Sequence, residues 1–127
     1  MKEIVAILRV DAMNRTKAAL VQAGVSSFFA RRVLGRGKGR VDFRVVTGAE
    51  EGREEAIAHL KDDGPMLLPK RLVHLVVPDA KVERAVHAII EANRTGHPGD
   101  GRIFVLPVAE TIRIRTGERA EAALQED

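Results

Sequence analysis

An order of elements occurs twice in this chain and restricts its fold more tightly than any other feature. An apolar run is followed by Asp-Ala, an amphipathic stretch, a glycine and a second apolar run. The first copy passes from the strand expected over residues 3–10 to Asp11-Ala12. Met13, Thr16, Leu20 and Ala23 follow at spacings of three and four, then Gly24, then a second strand over residues 27–34. The second copy passes from Arg71-Leu72-Val73-His74-Leu75-Val76-Val77 through Pro78 to Asp79-Ala80. A helical stripe of Val82, Val86, Ile89 and Ile90 comes next, then Gly96 and a strand over residues 103–108. Asp11 or Asn14 and then Asp79 have the chemistry of helix N-caps, and Gly24 and Gly96 that of helix ends. Two βαβ halves in tandem predict an α+β, ferredoxin-like βαββαβ domain, an antiparallel sheet with both helices on one face. The other face of that sheet is then bare, and packing of several subunits is the expected cover.

A single domain over residues 1–127 suits the length, which allows roughly two-thirds of the unfolded chain's surface to be buried. Hydrophobic residues at 45% against 31% charged are globular usage. No run approaches a membrane span, no leader pattern opens the sequence, and cysteine is absent. These features predict a cytoplasmic protein without membrane insertion, disulfides or thiolate chemistry. A net charge of +3 is too small to imply nucleic acid, and four Phe with no Trp or Tyr offer few stacking platforms.

The two halves are joined by residues 36–69, far longer than the usual connection and so expected to be a mobile, target-contacting loop. Within it, Glu50-Glu51-Gly52-Arg53-Glu54-Glu55 before Ala56, Ile57 and Leu60 predicts a short helix. At its start, Gly35-Arg36-Gly37-Lys38-Gly39-Arg40 combines backbone freedom with three cations. That combination suits a phosphate and reads equally as a flexible basic loop.

Thr95-Gly96-His97-Pro98-Gly99-Asp100-Gly101-Arg102 lies between a helix and a strand, so its glycines permit close approach of a ligand that Arg102 can fork onto. A cap followed by a turn has the same spacing. In Ile112-Arg113-Ile114-Arg115, strand alternation puts the isoleucines on one face and the two guanidinium groups side by side on the other, where an anion relieves their repulsion. An edge strand that discourages aggregation has the same pattern. Glu118 to Leu124 is helix-prone but short, and residues 113–127 are expected to be a C-terminal strand and tail. His59, His74, His87 and His97 lack zinc spacing, and no nucleophile or general-base arrangement is present, so the chain is not expected to be an enzyme.

The stretch from Thr95 to Val105 and the tail Ile112-Arg113-Ile114-Arg115-Thr116-Gly117-Glu118 closely resemble the C-terminal signature of the P-II nitrogen-regulatory proteins. The resemblance extends through the start of the chain, the turn at residues 35–38 and Leu68-Pro69-Lys70. It implies a trimer of ferredoxin-like subunits that binds ATP or ADP between neighbours and senses 2-oxoglutarate with Mg-ATP. By position, Gly35, Gly37 and Lys38 line the phosphate side and Gly99, Asp100, Gly101 and Arg102 the second wall. Arg113 and Arg115 reach in from the adjoining subunit. Ile7, Phe29, His74 and Val76 surround the adenosine, with His74 where the family has Glu and Phe29 where it has Thr.

For 2-oxoglutarate the resemblance implies Lys70 and a Gln position that here holds Gly39 or Arg40. The loop Tyr that many bacterial members uridylylate has no counterpart. The lengthened loop and Val33-Leu34-Gly35-Arg36-Gly37-Lys38 resemble the nitrogenase-associated branch. That likeness implies a homotrimer, or a heterotrimer with a paralogue, acting on dinitrogenase through residues 40–68. The alternatives are regulation of an ammonium transporter or metabolic enzyme, or a basic-loop nucleic-acid module.

Overall fold

The computed structural model describes residues 1–37 and 67–125. Four strands, β1 (Lys2–Leu8), β2 (Phe29–Gly35), β3 (Leu68–Val77) and β4 (Arg102–Pro107), form one sheet in the order β2-β3-β1-β4. All pairings are antiparallel. Two helices, α1 (Met13–Gln22) and α2 (Asp79–Asn93), pack against each other and against one sheet face. This is the βαββαβ arrangement that the duplicated pattern predicts. The helix expected at residues 50–60, together with Lys38 and Gly39, lies outside the described residues.

Alternation decides which side of the sheet is the core. Ile4, Ala6 and Leu8 of β1 and Val73, Leu75 and Val77 of β3 are buried towards the helices, where they meet Met13, Leu20, Ala85 and Ile89. The opposite face carries Val5 and Ile7, Leu72, His74 and Val76, and Phe104 and Leu106, with no element of the described chain over it. Phe104 and Leu106 are exposed. β3 is therefore apolar on both faces, the pattern of a strand whose second face is also meant to be covered.

The helix ends differ from the simplest reading of the sequence. Asp11 caps nothing: the chain enters α1 through a 3-10 turn, Val10–Ala12, and the Asp11 carboxylate lies 3.7 Å from Arg9 Nε. Asn14 lies inside the helix. Asp79 is the first residue of α2, and its carboxylate accepts from the Met1 ammonium at 2.9 Å. Gly24 does end α1, at φ +83, with Val25 N–H donating to the Leu20 carbonyl and Gly24 N–H to that of Val21, a Schellman closure. Gly96 is not the cap of α2, whose C-cap is Arg94.

Where α1 meets α2, the buried Thr16 hydroxyl donates to the Ala12 carbonyl at 2.8 Å. It accepts from Asn93 Nδ2 at 2.9 Å. Thr16, which sits in the apolar stripe, is thus a polar lock between the helices.

Candidate functional site

Antiparallel pairing gathers the C-terminal ends of β1 and β2 and the N-terminal ends of β3 and β4 at one edge of the sheet. Gly35 and Gly37, Lys70 and Arg71, Arg9, and the 95–102 loop with Arg102 therefore share that end. The two glycine stretches, sixty residues apart in the sequence, are brought to the same place by the topology.

The 95–101 loop is built around Asp100. Its carboxylate accepts from the Thr95 N–H at 2.7 Å, the Gly96 N–H at 3.0 Å and the Thr95 hydroxyl. Arg9 Nη1 lies 3.6 Å away. Desolvation opposes ionisation, but these hydrogen bonds, with the Arg9 charge, hold the Asp100 carboxyl below its ordinary value. The negative charge is thus turned into the loop, which lets an acidic residue sit within a segment suited to anions.

Gly96, Gly99 and Gly101 have φ of +87, +98 and +113. At Gly101 the chain also passes so close to β1 that a Cβ would stand 2.1 Å from the Ile7 carbonyl oxygen. Arg102 follows, exposed and in register with Ile7, and no described residue pairs with its guanidinium.

Lys70 lies in register with Val33, and its side chain borders Gly35. Burial lowers its pKa, Arg9 adds to the effect, and Asp11 opposes it. An anion at this end of the sheet would offset the Arg9 repulsion and favour the charged lysine despite its burial.

Arg9, read in the sequence only as the end of a strand, ties the region together. Its Nη2 donates to the Asn93 carbonyl at 3.1 Å at the end of α2, while the other nitrogens face Asp100 and Asp11. Asn93 and Asp100, so far along the chain, leave no local signal of this role.

Ile7, Phe29, His74 and Val76 project from the open sheet face, as their shared alternation requires. Phe29 and His74 are directly paired and stack with centroids 5.2 Å apart. Arg113 and Arg115 are elsewhere. β4 carries the chain about 20 Å away from the glycine loop, and Thr111 touches Met1 at the far end.

Nor do residues 112–115 extend as a strand. Residues 114–116 turn, Gly117 at φ +73 reverses the chain, and Ile112 bridges Arg119. Arg113 bonds its own chain, Nη1 donating to Glu118 Oε1 at 3.0 Å. The helix expected near Glu118 to Leu124 is a 3-10 turn, Ala120–Leu124. No described group of three His, Cys, Asp or Glu is arranged for a metal ion.

A ferredoxin-like sheet with one open apolar face and a glycine- and arginine-lined end is the architecture of this chain. The model of the nitrogen regulatory protein P-II family matches residues 1–118, and this chain belongs to that family. A nitrogen fixation nifHD region GlnB-like protein 2 of Methanobacterium ivanovii is 41% identical over 98% of this chain and 99% of its own length. One of the same description from Methanothermobacter marburgensis is 44% identical over 98% of this chain and 100% of its own length. A nitrogen regulatory protein P-II of Cereibacter sphaeroides is 39% identical over 98% of this chain and 100% of its own length. P-II proteins are trimeric, non-catalytic signal transducers, and generally bind ATP or ADP and 2-oxoglutarate.

Proposed function

We propose that this chain is a cytoplasmic nitrogen-status sensor that grips ATP or ADP between protomers of a trimer and controls nitrogenase through the segment between β2 and β3. The observation that carries the reading is the single sheet end where Gly35, Gly37, Lys70, three positive-φ glycines and Arg102 come together. Backbone N–H groups freed by glycine and a fork-shaped cation are what a polyphosphate needs. Mg, which keeps most of its waters and takes its other ligands from phosphates, would arrive with the nucleotide and needs no protein cage.

Distance supports a site shared between protomers. Arg113 and Arg115 lie beyond the other end of β4 from their own glycine loop, so only a neighbour's pair can meet it. Lys70, the half-buried cation beside Gly35, is the side chain offered to 2-oxoglutarate, while the sequence position at which the family has Gln holds Gly39 or Arg40. Assembly as a trimer covers the open apolar face. The nifHD-region relatives support nitrogenase as the target.

Titration calorimetry with ATP and ADP tests the reading. Saturable binding of one nucleotide per protomer is expected, and no heat at millimolar nucleotide contradicts it. Pull-down of dinitrogenase with and without ATP and 2-oxoglutarate tests the target. Capture that ignores both effectors contradicts the sensor role, because a ligand shifts a conformational equilibrium only by its preference for one state.

A further inference from the structure

We infer that the C-terminal turn is a latch that occupies Arg113 and is displaced when a phosphate-bearing ligand takes that guanidinium. The inference rests on the proposed engagement of Arg113 with nucleotide phosphates.

The Arg113 guanidinium is enclosed by oxygens of its own chain. Nη1 donates to Glu118 Oε1 at 3.0 Å, and Nη2 donates to the Ala122 carbonyl at 3.1 Å and to the Gln125 carbonyl. Its side chain is only 15% exposed, while that of Glu118 is 44% exposed. A carboxylate and two carbonyls around one fork imitate the clustered oxygens of a phosphoryl group, so tail and phosphate compete for the same donors.

No buried side chain anchors the tail turn: none of the residues in Ala120–Leu124 is buried. Its other ties include the Arg113 N–H to the Glu118 carbonyl at 2.9 Å, the Ile112–Arg119 bridge, the Ala120 N–H to the Thr111 carbonyl at 2.9 Å, and a surface ion pair between Arg119 and Glu110.

Strain points the same way. Ala120 has φ 58 and is the one non-glycine residue with positive φ among those described. Such a backbone persists only where its surroundings over-determine it. Here the surroundings are the Thr111 carbonyl bonded by the Ala120 N–H and, beyond Ala120, the oxygens held by Arg113. Withdrawing the guanidinium removes the anchor beyond Ala120 and leaves the strained residue held only from its N-terminal side, so relaxation of the strain favours release. Residues 118–125 then become free for another partner while nucleotide is bound.

Two full-length substitutions push the latch in opposite directions. Glu118→Gln removes the charged acceptor, and for a partly exposed pair this should tighten ATP binding roughly two- to fivefold. Ala120→Gly relieves the positive φ, strengthens the docked tail and should weaken ATP binding by a similar factor, about two- to fivefold.

The experiment measures calorimetric Kd for ATP in the three proteins, together with hydrogen exchange at the Ala120 and Gln125 amides with ATP, with adenosine and without ligand. Faster exchange on ATP but not on adenosine, with the two Kd changes opposite in sign, supports the latch. ATP binding with unchanged or slower tail exchange overturns the latch and leaves the nucleotide reading intact. ATP failing to bind any of the three proteins overturns both.

Discussion

Replacing Gly101 by alanine places a methyl group where the backbone of β1 already stands. The added Cβ would lie 2.1 Å from the Ile7 carbonyl oxygen, with the Ile7 carbonyl carbon and Leu8 Cα behind it at 3.3 and 3.6 Å. None of these atoms belongs to a flexible side chain, and the β1–β4 register, with Ile7 opposite Arg102, holds them in place.

Relief requires a separation of roughly 1 Å between the strands, comparable to overpacking a core at about 1–3 kcal/mol. The residue also sits at φ +113, far from the ordinary wells of an L-residue, which adds about 1–3 kcal/mol. The sum, about 4 kcal/mol, corresponds to a fall in Tm of roughly 10–15 °C for a domain of this size at fixed protomer concentration.

Gly99→Ala is the matched control. Gly99 has φ +98 but no atom within 4 Å of its added Cβ, so only the conformational cost of about 1–2 kcal/mol applies. Thermal unfolding by circular dichroism reads both variants, and calorimetry reads the accompanying loss of ATP binding as Arg102 shifts. Equal destabilisation by the two variants would refute the close-approach argument.

Two further outcomes follow from the charges at the same end of the sheet. The folded pKa of Asp100 is below its reference of 3.8, so its stabilising contribution is complete above that value and is lost as pH falls through the lower folded value. Asp100→Asn should therefore lower the urea midpoint at neutral pH and flatten its decline over roughly pH 2–5. An unchanged acid slope counts against the Asp100 clamp. Lys70 has the opposite sense, because its pKa is lowered from 10.5, mainly by burial, and its charge opposes folding at neutral pH. Lys70→Met should raise the urea midpoint near neutrality, with the gain fading as pH rises through the lowered folded value and gone above about pH 10.5, and should abolish any effect of 2-oxoglutarate; a lowered midpoint contradicts the desolvation argument.

The fold was readable because each half announces itself locally. Apolar alternation in β1 and β3, helical stripes in α1 and α2, and Gly24 as a helix end depend on neighbours in the chain. Where the structure departs from the pattern, side chains took partners other than the helix ends. Asp79 binds the amino terminus and Asp11 turns to Arg9, so neither caps a helix. Gly96 serves the Asp100-centred loop and not the end of α2. The alternation at residues 112–115 predicts a strand, but Gly117 at φ +73 and the pull of Glu118 and the tail on Arg113 fold it into a turn. Both glycine stretches were identifiable as anion-suited segments. That they meet at one sheet end follows only from topology, and Arg9, with partners on three separate segments, had no pattern to reveal it.

The shared site makes a demand on assembly that subunit mixing tests directly. Arg102→Ala removes the cation beside one protomer's glycine loop, and Arg113→Ala removes the one supplied across the interface. Each variant alone should lose ATP binding. Co-assembled in equal amounts, they should recover binding of parental affinity in about one interface in four, where an intact loop meets an intact Arg113. Calorimetry of the mixed trimer showing no recovered sites would contradict a phosphate grip divided between protomers.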